Sequence, residues 1–132
     1  MIKILVADDE LNNRILMAKL LERYGTVDMV VDGREAVDAF LMAHTEEAPY
    51  DVIFMDIMMP NMDGHQAVQA MRKKEASLGL VSRNEVKVIM VTALDSPKEA
   101  MKSYYNDGCT DYVTKPVTQQ KIDHLMDGVV AR

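Results

Sequence analysis

Five short apolar runs, each followed by a longer stretch with helical spacing, constrain this chain more than any other feature. Lys3–Ala7, Val27–Val31, Val52–Met55, Lys87–Val91 and Asp111–Thr114 read as strands, mostly apolar and bounded by turn formers. A first helix from about Glu10 to Tyr24 carries Leu16, Met17, Leu20, Leu21 and Tyr24 at helical spacing, and Gly25 reads as its terminating glycine. Asp32-Gly33 punctuates before a helix with Ala36, Val37, Phe40, Leu41 and His44 on one stripe. A Pro60–Gly64 loop leads into a helix facing inward with Gly64, Ala67, Val68 and Met71, and a polar connector follows over Leu78–Glu85. Ser96-Pro97 is an N-cap followed by proline at the first helical position, with Ala100, Met101 and Tyr104 turned inward. Thr118 caps a last helix with Ile122, Leu125, Met126 and Val129 on its stripe. Parallel strands need helical crossovers, so the pattern predicts an α/β fold, a parallel sheet with five helices distributed over both faces. Strands that are continuously apolar rather than alternating say the same.

A chain of 132 residues fits one domain spanning 1–132. Its 21 acidic and 15 basic residues give a net charge of −6, with no basic run. That excludes general affinity for nucleic acid or anionic membranes, which needs a basic patch. The single cysteine, Cys109, has no internal disulfide partner and fits a reducing compartment. Its neighbours Gly108, Thr110 and Asp111 supply no base to activate the thiol, so it reads as a packing residue. The first apolar run stops at Asp8, too short for a signal peptide or a membrane span, and a soluble cytoplasmic protein is expected. The twelve methionines fall mostly at core positions. His44, His65 and His124 lie on different helices and read as surface or helix-end residues, not a metal cluster.

Open parallel sheets bind ligands outside the carboxyl ends of their strands. The residues just beyond those ends are Asp8-Asp9, Asp32 (read as a turn residue), Asp56, Thr92 and Lys115-Pro116. If the first and third strands are neighbours, three carboxylates converge beside a hydroxyl and an ammonium. Carboxylates about 5 Å apart at an effective dielectric of about 20 repel by roughly 3 kcal/mol per pair. A hard divalent cation such as Mg2+ resolves this, its +2 and the +1 of Lys115 cancelling the −3 of the acids. Without the cation, one carboxylate should titrate abnormally high. A phosphate is the natural next guest, and with no glycine-rich loop after the first strand it must be held by metal and side chains. Asp56 is then a candidate nucleophile, since aspartate forms acyl phosphates. Taken singly, each residue has an ordinary alternative: Asp8 or Asp9 as a helix cap, Asp56 as a loop acid, Thr92 as a strand end, Lys115 as a surface charge.

The motifs DDE after the first strand, MDIMMPNMDG at the third, VTA at the fourth and DYVTKP at the fifth together resemble the receiver domain of two-component response regulators, chemotaxis regulators included. The resemblance covers nearly the whole chain and implies a flavodoxin-like sheet in the order 2-1-3-4-5. It implies that Asp56 accepts a phosphoryl group from a sensor histidine kinase, a phosphotransfer protein or a small acyl phosphate. Mg2+ would be bound by Asp9, Asp56 and the backbone carbonyl of Met58, with Asp8 acting through a water. Thr92 and Lys115 would contact the phosphoryl oxygens, and Lys115-Pro116 would be a cis bond. Thr92 and Tyr112 would form the switch, Tyr112 turning inward as Thr92 moves. A downstream protein, or a second copy in a phosphorylation-dependent dimer, would read the face made by the fourth helix, fifth strand and last helix.

Met58 and Leu94 occupy the two positions that tune phosphoryl lifetime in this family, and neither can orient a water, so slow self-dephosphorylation is expected. Asn12-Asn13-Arg14 and the connector at Leu78–Glu85 are similar to receivers in hybrid kinases and phosphorelays. The chain stops one helix after Lys115, so it reads either as a stand-alone receiver or as the front of a longer regulator. No turnover enzyme is expected beyond self-catalysed phosphoryl acceptance and autodephosphorylation. A metal-dependent aspartyl-phosphate hydrolase of the haloacid type is a second reading, weakened because Met58 stands where such enzymes need a second Asp. A degenerate receiver serving only as an interaction module is a third, weakened because acceptor, acid pair and lysine are all present.

Overall fold

The computed structural model describes residues 1–81, 84–93 and 108–130. The elements are β1 (Ile2–Ala7), α1 (Leu11–Leu21), β2 (Gly25–Val30), α2 (Gly33–Thr45), β3 (Val52–Asp56), α3 (Gly64–Ser77), β4 (Lys87–Thr92), β5 (Asp111–Thr114) and α4 (Gln119–Val130). All strands pair in parallel in the order β2-β1-β3-β4-β5, the expected flavodoxin-like sheet. Four helices are present among the described residues. The further helix expected from Ser96-Pro97, with Ala100, Met101 and Tyr104, lies outside them, as does Leu94.

The continuous apolar runs resolve into two cores because successive strand side chains point to opposite faces. On one face Leu5, Ala7, Ile53, Met55, Val88 and Met90 meet Ala36 and Phe40 of α2 and Ala67, Val68 and Met71 of α3. On the other, Ile4, Val6, Val52, Phe54, Ile89 and Val91 meet Met17 and Leu21 of α1 and Ile122 and Met126 of α4. Covered on both faces, the central strand β3 is buried along its whole length and has no polar residue before Asp56, whereas the edge strand β2 exposes Thr26. No helix among the described residues is long and apolar enough to cross a membrane.

Several local expectations give way to tertiary demands. α1 ends at Leu21 rather than Tyr24, and Gly25 is the first residue of β2 instead of a helix terminator. A Cβ on Gly25 would lie 1.9 Å from the carbonyl oxygen of Ile2, so glycine is required by the close approach of β1 and β2. Asp32 is the N-cap of α2 rather than a simple turn residue, accepting the Glu35 N–H at 2.8 Å. His65 is buried in the first turn of α3, whereas His44 is half-buried edge-on to Phe40 and His124 is exposed. Met17, Met55, Met71, Met90 and Met126 are core residues as expected, but Met1, Met29, Met42 and Met58 are exposed. Thr118 caps α4 as read, its hydroxyl accepting the Lys121 N–H at 3.3 Å. Cys109 is buried against the first core.

One buried ion pair closes the rim opposite the strands' carboxyl ends. Glu75, fully buried in α3, takes Arg72 Nη1 at 2.6 Å and the Val86 N–H at 2.7 Å. Arg72 also donates to the carbonyls of Val86 at 2.8 Å and Gly108 at 2.9 Å. The pair therefore fastens α3 to the segments entering both β4 and β5. Every donor and acceptor of the carboxylate and guanidinium that faces inward has a partner, which is what makes a buried charge tolerable.

Gly25→Ala tests the role of the β1–β2 approach. The clash is with backbone, which cannot swing aside, so urea unfolding should show a loss of at least about 2 kcal/mol. An unchanged midpoint would contradict the assigned role.

Candidate functional site

β1 and β3 are adjacent, and the register sets Ala7 opposite Met55. The next residues, Asp8 and Asp56, therefore emerge side by side, and both are buried. Asp9 follows on the exposed side. One carboxylate oxygen from each of Asp8, Asp9 and Asp56 lies within 4.8 Å of the others, the spacing of an oxygen-ligand cation site.

Asp8 and Asp56 are held by their surroundings. Asp8 Oδ1 accepts the Glu10 N–H at 2.9 Å, its N–H donates to the Val30 carbonyl at 3.1 Å, and its carbonyl accepts Arg14 Nη1 at 2.8 Å. Asp56 is the last residue of β3 and faces Lys115, whose Nζ lies 3.3 Å from Oδ2. A Cβ on Gly64 would fall 2.5 Å from the Asp56 carbonyl oxygen, so the Asp-Gly start of α3 is what lets that helix seat directly against the acid's backbone. The loop between them is tied to α2. Asn61, in a left-handed conformation at φ 67°, donates to Asp32 at 2.8 Å, and the Gly33 N–H donates to the Met62 carbonyl at 3.0 Å. Asp63 and Gln66 complete a reciprocal capping box at the start of α3.

Thr92 ends β4, buried, and its carbonyl accepts the Lys115 N–H at 2.8 Å. This bond holds Lys115 at the same rim as the acids. The Lys115-Pro116 peptide is cis, as the resemblance implied. The Met58 side chain is exposed, while its backbone amide points to Asp56 and stabilises the carboxylate. Tyr112 stands apart from this group, 43% exposed on edge strand β5 opposite Met90. Beside the acids an apolar cavity of about 450 Å³ is lined by Leu16, Met17, Phe54, Val91 and Val117, with Asp8, Asn13 and Lys115 at its polar edge.

The electrostatics follow from this packing. Burial, reinforced by the Asp8 charge, pushes the Asp56 carboxyl up to about 6 despite Lys115 and the Met58 amide. The abnormal titration expected of one acid thus falls on Asp56, with burial ahead of repulsion as its cause. Asp32 moves the other way, held below the usual carboxylate range by the Glu35 amide and then by Asn61. Sequence reasoning missed the Asn61–Asp32 tie and the Arg14 contact. Asp32 followed three residues later by Glu35 was a readable capping signal. Arg14 had no such signal, since its partner is a backbone carbonyl.

Residues 4–127 match the family model described as the response regulator receiver domain. The chain is similar to probable histidine kinase 2 of Oryza sativa subsp. indica, 32% identical over 96% of this chain and 12% of that protein. It is also similar to hybrid signal transduction histidine kinase I of Dictyostelium discoideum, 31% identical over 98% of this chain and 7% of that protein. The chain thus spans only a small part of these relatives' length. Among solved structures, it is similar to the receiver domain of the response regulator Ssk1 of Saccharomyces cerevisiae, crystallised with the histidine phosphotransfer protein Ypd1. That match has a TM-score of 0.79 and 26% identity over 98% of this chain and 86% of that one.

The raised Asp56 carboxyl predicts a pH-dependent stability. In chelator-treated buffer the folded chain keeps this proton up to about pH 6, whereas an unfolded carboxylate loses it near pH 4. Stability should therefore fall as pH rises from about 4 to about 6, by about 2–3 kcal/mol from this group. Asp56→Asn should remove that slope and be the more stable protein above about pH 7 in urea unfolding. Equal slopes in the two proteins would refute the assignment.

Proposed function

The chain belongs to the response regulator receiver domain family, and from that premise we propose that Asp56 is the phosphoacceptor of a two-component or phosphorelay pathway. The observation that carries the reading is the meeting of Asp8, Asp9, Asp56 and Lys115 at one rim of the sheet. Three carboxylate oxygens within 4.8 Å form an all-oxygen donor set, and burial, then the Asp8 charge, pushes the Asp56 carboxyl up to about 6. Both features fit Mg2+ held by Asp9, Asp56 and the Met58 carbonyl, with Asp8 reaching it through a water. Bound there, the cation would supply charge neutralisation for the acids and for a transferring phosphoryl group.

An Asp56 carboxylate oxygen attacks the phosphorus of a phosphohistidine or small acyl phosphate. The new O–P bond forms as the bond to the donor breaks, and the electron pair leaves with the donor. Lys115, already 3.3 Å from Asp56, holds the phosphoryl oxygens from one side, and the Thr92 hydroxyl donates from another. Phosphorylation changes the acid's charge from −1 to about −2. Thr92 then turns toward the new oxygens, and Tyr112, outward in this structure, swings into the vacated space. The face so altered includes β5 and α4, and it is the surface for a downstream protein or a phosphorylation-dependent dimer.

A sensor histidine kinase or phosphotransfer protein is the donor this reading favours. Leu11, Ile15 and Leu16 of α1 are exposed next to the acid rim, and the apolar cavity opens beside them, giving a protein donor a place to seat. The two kinase relatives favour a specific form of the reading, a receiver module of a hybrid kinase or phosphorelay. The hydrolase reading lacks its general acid, since the exposed Met58 has no proton to give. The cytoplasm, where Cys109 stays reduced, is the compartment in which we place it.

Intact-mass measurement after acetyl phosphate and Mg2+ should show one phosphoryl addition in the wild type and none in Asp56→Asn. An adduct retained by Asp56→Asn would sink the reading. Met58→Asn combined with Leu94→Glu should shorten the adduct's half-life by at least about tenfold by orienting a water. An unchanged half-life would show that these two positions do not set it.

A further inference from the structure

Lys121 is the third residue of α4, in a helical turn where a positive charge opposes the helix dipole. Its ammonium does not extend into solvent. It turns back over the β5–α4 loop and donates to the Thr114 carbonyl at 3.0 Å, the Thr114 hydroxyl at 3.3 Å and the Pro116 carbonyl at 2.9 Å. Three donors meet three acceptors, so the ammonium is saturated by the end of β5 and the loop that follows it. The residue between the two clasped carbonyls is Lys115. Its N–H is bonded to the Thr92 carbonyl at 2.8 Å, and its Nζ reaches Asp56 at 3.3 Å.

We infer that Lys121 is a positioning residue: it clasps the backbone on either side of Lys115 and so fixes where the Lys115 ammonium stands relative to Asp56. The inference rests on the proposed phosphoacceptor role of Asp56. Lysine has a long flexible side chain, and an ammonium placed by its side chain alone would sample many rotamers. With residues 114 and 116 clasped and the 115 N–H bonded to β4, only the side-chain torsions of Lys115 remain free. An unfavourably placed helix-start lysine is thereby given a purpose that its own helix does not supply. Thr114 ends β5 and Pro116 follows in the loop, so Lys115 is the residue between the two points that Lys121 grips, and the effect of Lys121 on the acids runs through it.

Four proteins decide this: wild type, Lys121→Met, Lys115→Ala and the double variant, each checked for an intact fold by urea unfolding. The first readout is hydrogen exchange of the Lys115 amide, followed by NMR with no phosphodonor present. In Lys121→Met it should exchange about tenfold faster while amides of β1 and β3 keep their wild-type rates. The second is the rate of phosphoryl addition from acetyl phosphate with Mg2+, which should fall about tenfold in Lys121→Met. Added to Lys115→Ala, the Lys121 change should slow the reaction by less than about twofold, because its route of action is already gone. Wild-type exchange at Lys115 in Lys121→Met would overturn the inference. So would a further full drop in rate in the double variant, which would mean that Lys121 acts on the reaction independently of Lys115. A wild-type protein that accepts no phosphoryl group would sink the phosphoacceptor reading, and the exchange comparison would then decide Lys121 alone.

Discussion

The burial of the Asp56 carboxylate beside Asp8, answered by the Lys115 ammonium, is the interaction around which the molecule is organised. Burial is the larger cause of the raised Asp56 carboxyl and the Asp8 charge the smaller. From the sequence alone, repulsion predicts one raised carboxyl among the three acids; it neither singles out Asp56 nor supplies the larger cause. Depth in the protein needs the two cores: β3 is buried along its whole length because both faces are covered, and Asp56 is the last residue of that strand. The core that stabilises the chain also creates the strained electrostatics at its rim, and the two properties are inseparable in this fold. On a sheet open to water, Asp56 would be an ordinary surface carboxylate.

Much of this was legible because it depends on period and position. A parallel sheet with both faces covered forces apolar strands, and the chain shows them. Residues just past strand ends must gather at one rim, so Asp8, Asp9, Asp56 and Lys115 could be grouped before any coordinates. The features that were not legible depend on partners distant in sequence. Gly25 reads as a helix stop because its neighbour across the sheet, Ile2, leaves no mark on the local pattern. Arg72 and Glu75, three residues apart, carry no local sign of burial, yet Glu75 is fully buried and the pair together reaches two other segments. His65 reads as a helix-end polar residue and is packed inside. In each case the local reading was reasonable, and a long-range contact outweighed it.

The site is also fixed by residues that do no chemistry. Asn61 and Asp32 tie the loop after Asp56 to α2, Arg14 holds the Asp8 carbonyl, and Gly64 lets α3 approach the acid's backbone. These contacts leave the three carboxylates converging without a hydrogen-bond network among themselves. Asp9 alone is exposed, which gives the group a wet side through which a small ion can enter. Contacts of this kind hold the carboxylates in place through their backbones and neighbours instead of through one another.

The Arg72–Glu75 pair has a mechanical consequence. By gripping the Gly108 carbonyl and the Val86 carbonyl together, it nails down the end of β4 and β5 farthest from the acids. Four-residue β5 is then bolted at its entry, while at its exit Thr114 is tied through Lys121 to α4, so any travel there carries the helix with it. Any disturbance at the acids should therefore spread sideways across the sheet's edge and fade before reaching the opposite pole, giving the molecule one moving side and one fixed base.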